Sequence, residues 1–149
     1  MAIEATMRAG HRLEVQVMSK RAIVPPEFRA VADELKMSPG ILSGGHVFLT
    51  GVTGGDLHGY MPDDPGVQMR NAFRKVGSVL GEAGLTYRSV VEMTTFHVGL
   101  RSHFDQFDSI RLEYLEEPYP AWTAVEVAGL RREGAIVEIR VIAAADPDD

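Results

Sequence analysis

Pro120-Ala121-Trp122-Thr123-Ala124-Val125-Glu126-Val127, followed after a short gap by Ile136-Val137-Glu138-Ile139-Arg140-Val141-Ile142-Ala143, are the two runs that decide the fold. Both are rich in β-branched and apolar residues, which suit a pleated, half-buried surface. Glu138 alternates with Val137 and Ile139, so a strand would turn its carboxylate to the face opposite its neighbours. Gly129 to Ala135 between the runs reads as the loop of an antiparallel hairpin, with Arg131-Arg132 as solvated loop charge.

Upstream, Pro25-Pro26 followed by Glu27 to Lys36 predicts a short helix, because proline's fixed φ suits a first turn. Ser38-Pro39-Gly40 breaks it. Ile41–Ser43 and Val47–Gly51 read as strands joined by Gly44-Gly45, a two-residue hairpin signal. Thr53 to Pro65, rich in glycine, proline and aspartate, forms a loop of the length that is often functional in compact domains. From Val67, the positions Met69, Ala72, Phe73, Val76, Val79, Leu80 and Ala83 recur at three- and four-residue spacing, one apolar stripe on a helix that Gly84 ends. Ser89 to Val98 predicts a strand, and His103 to Glu116 a second amphipathic helix stopped by Pro118 and Pro120.

Strand, strand, helix, strand, helix, strand, strand implies a βαβ core, with right-handed crossovers laying both helices on one face of a mixed sheet. The other face is left bare. Met93, Phe96, Trp122, Val125 and Val127 are expected to form an apolar patch there, and such patches mark oligomer interfaces.

Composition sets limits on function. With 149 residues, 45% of them hydrophobic and 24% charged, the chain fits one soluble globular domain. The absence of cysteine removes thiolate chemistry and disulfides and is compatible with a cytoplasmic location. There is no apolar run of membrane-spanning length, and Met1 to Val17 lacks the apolar core of a signal peptide. Residues 1–17 are expected to be a flexible extension, an upstream start or an arm, with a single domain over 18–149. A net charge of −6 repels phosphate backbones, so no nucleic-acid partner is expected. The histidines lack zinc-site spacing, which leaves no metal assigned. Gly51-Val52-Thr53-Gly54-Gly55-Asp56 lacks the lysine and hydroxyl of a phosphate loop.

Gly45-His46-Val47-Phe48-Leu49-Thr50-Gly51, Gln68 with Ala83-Gly84, Ser89-Val90-Val91, Phe104 and the two terminal runs together resemble the Rid family, the YjgF-type reactive-intermediate deaminases, along residues 37 to 144. The resemblance implies an α+β, chorismate-mutase-like fold assembled as a homotrimer, with the sheets forming an inner barrel and three clefts between subunits. It also implies hydrolysis, without a cofactor, of enamines or imines such as 2-aminoacrylate to a 2-oxo acid and ammonia.

Carried over by the resemblance, Glu138 positions the attacking water, while Thr50 and Gly51 lie beside the substrate carboxylate. The family's carboxylate-binding arginine is Trp122 here. Its pocket tyrosine and serine fall at Met37 and Ser38, and its following glutamine at Val52. The pocket should therefore be more apolar and less suited to a small carboxylate.

Each site residue keeps two readings. Trp122 is a ligand-stacking wall or a packing aromatic; Glu138 is a general base or a carboxylate ion-paired with Arg140; His97 faces the cleft or is a hydrogen-bonded buried histidine. The function expected is that of a small-metabolite-binding Rid-type protein with enamine or imine deaminase activity. A non-catalytic ligand-binding trimer is the second reading, and a ribonuclease or translation inhibitor the third.

Overall fold

The computed structural model describes residues 2–6, 12–16 and 19–145. In chain order come β1 (Ala2–Thr6) and β2 (Arg12–Gln16), which pair antiparallel as a sheet of their own. Residues 1, 7–11 and 17 of the expected N-terminal extension lie outside the described residues, as do 18 and 146–149. β3 (Arg21–Ile23) opens the main sheet. A 3-10 turn at Pro26–Phe28 then leads into α1 (Arg29–Leu35), which ends at Lys36 in the left-handed conformation.

β4 (Gly40–Ser43) and β5 (His46–Leu49) form the hairpin expected at Gly44-Gly45, whose φ values of 60° and 79° are the left-handed ones that such a turn needs. β6 (Val52–Thr53) follows after a break. α2 (Pro65–Glu82) is started by Asp64, whose carboxylate accepts the N–H of Val67 at 3.1 Å, with Pro65 in the first turn. After it come β7 (Val90–His97), α3 (Leu100–Arg111), β8 (Ala121–Glu126) and β9 (Val137–Ala144). α3 starts earlier than the sequence pattern suggested, because Gly99 at φ 71° makes the turn out of the strand, and it also ends earlier.

The seven-stranded sheet runs β3-β4-β5-β9-β7-β8, with β6 also pairing to β9. The terminal hairpin expected through Gly129–Ala135 does not form: β8 lies parallel to β7 on one side, and β9 antiparallel to β7 on the other. A strand delivered by a crossover helix returns parallel beside its predecessor. The linker to β9 therefore passes the end of β7, tied down by Val127 N–H to His97 O at 2.9 Å and Val98 N–H to Ile136 O at 3.0 Å.

One core joins α2 and α3 to the sheet. Met69, Phe73, Val76, Leu80, Phe107 and Ile110 meet Met93 and the β9 residues Val137, Ile139 and Val141, all buried. Burying an aliphatic or aromatic side chain contributes about 1.5–3 kcal/mol each, so this layer holds the sheet face. Contrary to the expected bare-face patch, Met93 and Trp122 belong to the helix side; Phe96 and Val125 point the other way, where Phe48 and Val91 are also exposed. No helix among the described residues is long and apolar enough to cross a membrane.

Candidate functional site

A cleft begins where the ladder on β9 is interrupted. β5 pairs as far as Phe48 opposite Ile142, and β6 resumes with Val52 opposite Ile139, so the chain carries one extra residue across the gap. An insertion of this kind exchanges the faces of every side chain beyond it. It puts Thr53 on the rung of Glu138 and leaves Thr50 and Gly51 outside the ladder.

Glu138 lies against Gly51. A Cβ built on that glycine falls 2.5 Å from Glu138 Oε2, so any side chain at 51 displaces the carboxylate. Glu138 is half-buried and has no hydrogen-bond partner for its carboxylate among the described residues; burial raises its pKa above the ordinary carboxylate value. A carboxyl group so placed takes up and releases a proton closer to neutrality than a solvated one.

Thr50 anchors the neighbouring segment. Its N–H donates to Pro39 O at 2.9 Å and its hydroxyl to Ser38 O at 2.7 Å, which holds Met37–Pro39 at the end of β5. Met37 lines the cleft, with Phe28, Val31 and Leu35 from the adjoining helical turns as further apolar wall. The enclosed space is about 780 Å³.

Two half-buried cations, Lys75 and Arg132, complete the lining, with an exposed Arg131 beside them. Lys75 of α2 donates from Nζ to Thr53 O at 2.8 Å; burial first, then the charge of Arg132, pulls its pKa down to about 8, with Asp56 acting in the opposite sense. Arg132 donates from Nη2 to Gly59 O at 2.7 Å and lies across Gly55, where an added Cβ would come within 3.3 Å of the guanidinium. Asp56 closes its own turn by accepting the N–H groups of His58 and Tyr60 at 2.9 and 2.8 Å, bonds that hold its pKa below the usual range.

Met37, Thr50, Gly51 and Glu138 all line this cleft, and Ser38 accepts the Thr50 hydroxyl at its carbonyl. Trp122 is elsewhere. In parallel register with Met93, its indole stacks on Phe104 at 5.6 Å, carries the Arg111 guanidinium 4.5 Å above it, and donates from Nε1 to Thr95 Oγ1 at 2.9 Å. That is the packing reading of the residue. The expected Glu138–Arg140 ion pair is absent among the described residues; Arg140 is exposed.

His97 is fully buried on the helix side. Its Nε2 lies 2.7 Å from Thr95 Oγ1, the hydroxyl that also accepts the indole N–H of Trp122. His97 Nδ1 has no hydrogen-bond partner among the described residues, and His103 Nε2 nearby has none either. Burial and the neighbouring His103 pull His97 down to about 4.

Sequence reasoning missed Lys75 and misjudged Arg132, the latter taken for solvated loop charge. Nothing in α2's apolar spacing singles out a lysine on its other side. Arg132 had one weak signal, the run of glycines at 54–55 that leaves room for a guanidinium. Among the described residues no group of three or more His, Asp or Glu side chains is placed to hold a metal ion.

Comparison with known proteins follows this geometry. The family model described as Endoribonuclease L-PSP matches residues 29–145. The RutC family protein YjgH of Escherichia coli (strain K12) is 31% identical over 128 residues, covering 85% of this chain and 96% of that protein. A solved structure of a protein YjgH superposes with a TM-score of 0.78 at 31% identity, over 85% of this chain and 97% of that one. A Mycobacterium tuberculosis member of the YjgF/YER057c/UK114 family gives 0.71 at 25% identity, over 85% and 99%. E. coli TdcF, solved with bound serine, gives 0.67 at 27% identity, over 72% and 86%. With the mixed sheet, the helix layer and the Thr50-Gly51 break in place, the chain belongs to the YjgF/RutC/Rid family.

Proposed function

We propose that the cleft beside Glu138 binds a small metabolite and hydrolyses enamines or imines in it. The observation that carries this reading is the half-buried Glu138 carboxylate, held against Gly51 with a raised pKa and no side chain neutralising it. Hydrolysis needs a group that takes a proton from water as oxygen attacks the C=N carbon and returns one to the departing nitrogen. The balance is imine plus water to carbinolamine, then carbonyl compound plus ammonia. An enamine substrate is first protonated at carbon, and a carboxyl group of raised pKa suits that step as well. Serine bound to the relative TdcF supports a ligand of amino-acid size.

We further propose a homotrimer, with cytoplasmic location, whose subunits meet through the helix-free sheet face. Phe48 and Val91, 40% and 45% exposed, support a covering partner there. Light scattering at the mass of one chain would reject it.

The activity is tested by generating 2-aminoacrylate or a bulkier imine in situ and following ammonia release with the wild type and Glu138→Gln. Acceleration lost in the variant is expected; equal rates, or none above buffer, would reject the deaminase. One observation favours a second reading, ligand binding without turnover: Trp122 is committed to internal packing where the family has its arginine. Stabilisation by a ligand without ammonia release would support it.

A further inference from the structure

We propose that Lys75 and Arg132 form an anion-binding corner of the cleft that takes a carboxylate of the ligand, a role this chain cannot assign to position 122. The proposal rests on the cleft being a ligand site, as argued above, but not on turnover.

The two cations come from separate elements, α2 and the linker before β9, and both are pinned by backbone carbonyls rather than by acids: Lys75 to Thr53 O and Arg132 to Gly59 O. Their charges act on each other, which is one reason Lys75 gives up its proton more readily than usual. Like charges held together in a half-buried cleft cost free energy unless an anion joins them. Neither makes an ion pair with a carboxylate among the described residues. Asp56, which acts on Lys75 through its charge, accepts both the His58 and the Tyr60 N–H at one oxygen, Oδ1, and makes no ion pair with either cation. Of the other lining carboxylates, Glu27 and Glu34 are exposed at the helical wall, and Glu138 is half-buried against Gly51.

Lys75 uses one of its three donors on Thr53, and Arg132 has donors beyond the one on Gly59, so both retain hydrogen-bonding capacity for an oxyanion. Gly55 keeps the space beside the guanidinium open. The corner is joined to Glu138 through a single residue: Thr53 receives Lys75 at its carbonyl and is the β-ladder partner of Glu138, with Cα atoms roughly 5 Å apart across such a rung. The substrate class is therefore a small carboxylic acid whose carboxylate rests on Lys75 and Arg132 while its C=N or C=O group reaches Glu138.

Glutarate, its neutral diamide glutaramide and inorganic phosphate are the probes, measured by calorimetry on the full chain. Glutarate is expected to bind and glutaramide not. Arg132→Gln is expected to weaken glutarate at least tenfold, and Arg132→Lys to recover part of it. Since Lys75→Met also strips a bond from Thr53 and is liable to misfold, Lys75→Arg, which keeps the charge, is expected to retain binding. Equal affinity for glutarate and glutaramide, phosphate binding as tightly as glutarate, or no loss in Arg132→Gln overturns the carboxylate assignment. These are equilibrium readouts, so a failed deaminase assay leaves them standing, and ammonia release unaffected by Arg132→Gln would sink the corner while leaving the activity.

Discussion

Trp122 and Glu138 stand on opposite faces of one sheet, the indole on the side of α3 and the carboxylate turned the other way against Gly51, with β7 between their strands. Exchanging the residue at 122 therefore acts first on packing in this chain. Trp122→Phe keeps the stack on Phe104 but loses the bond to Thr95, and is expected to cost about 1–2 kcal/mol in chemical denaturation. Trp122→Arg sets a second guanidinium beside Arg111 and is expected to cost more, about 3 kcal/mol or above. A Trp122→Arg variant as stable as the wild type would show that the indole is not held as described.

Glu138 should make the fold less stable as it ionises. Its folded pKa is raised, so the folded state holds the proton more tightly, and stability falls as pH rises through the ordinary value of 4.5 toward the folded one. Glu138→Gln removes that slope. At neutral pH the variant is expected to melt higher, by no more than about 2–4 °C because solvent screens a half-exposed group. Below pH 4 the two proteins should converge. A variant that melts lower at neutral pH would show that Glu138 is neutralised by a partner.

His97 works in the other direction. Its pKa falls from 6.5 to about 4 on folding, so the unfolded chain binds the proton first and stability is lost as pH drops through that window. The loss amounts to about 3 kcal/mol by pH 4. Melting curves from pH 7 to pH 4 should show this slope, with a residue from His103, and His97→Gln should flatten it.

Gly51→Ala tests the closest contact in the cleft. The new methyl falls 2.5 Å from Glu138 Oε2 and must push the carboxylate away. Ammonia release is expected to fall at least tenfold, with a stability cost of about 1–3 kcal/mol. Unchanged turnover would show that Glu138 need not lie where it does.

Local signals carried most of the fold because they are written in consecutive residues. The Gly44-Gly45 turn, the stripe from Met69 to Leu80 and the Gly84 stop each need only their neighbours to be read. The partners of β8 and β9 did not show. Two β-rich runs separated by a loop look like a hairpin, whereas the crossover through α3 decides that β8 joins β7 from the far side. The cleft divided the same way. Glu138 declared itself by alternation as well as by the family resemblance, and Gly51 by that resemblance alone. Lys75 depends on which α2 residue reaches the open edge of β6, a matter of tertiary placement.

The break between β5 and β6 separates chemistry from scaffold. Thr50 and Gly51 sit where the ladder is already interrupted, and Arg132 sits on a connecting segment, so replacing them sacrifices none of the inter-strand bonds that hold β5, β9 and β7 together. A chain built this way can be rewritten for a new ligand at the gap while its buried core stays untouched. Variant libraries confined to positions 50, 51 and 132 should therefore yield folded proteins far more often than libraries of equal size drawn from Val137, Ile139 and Val141.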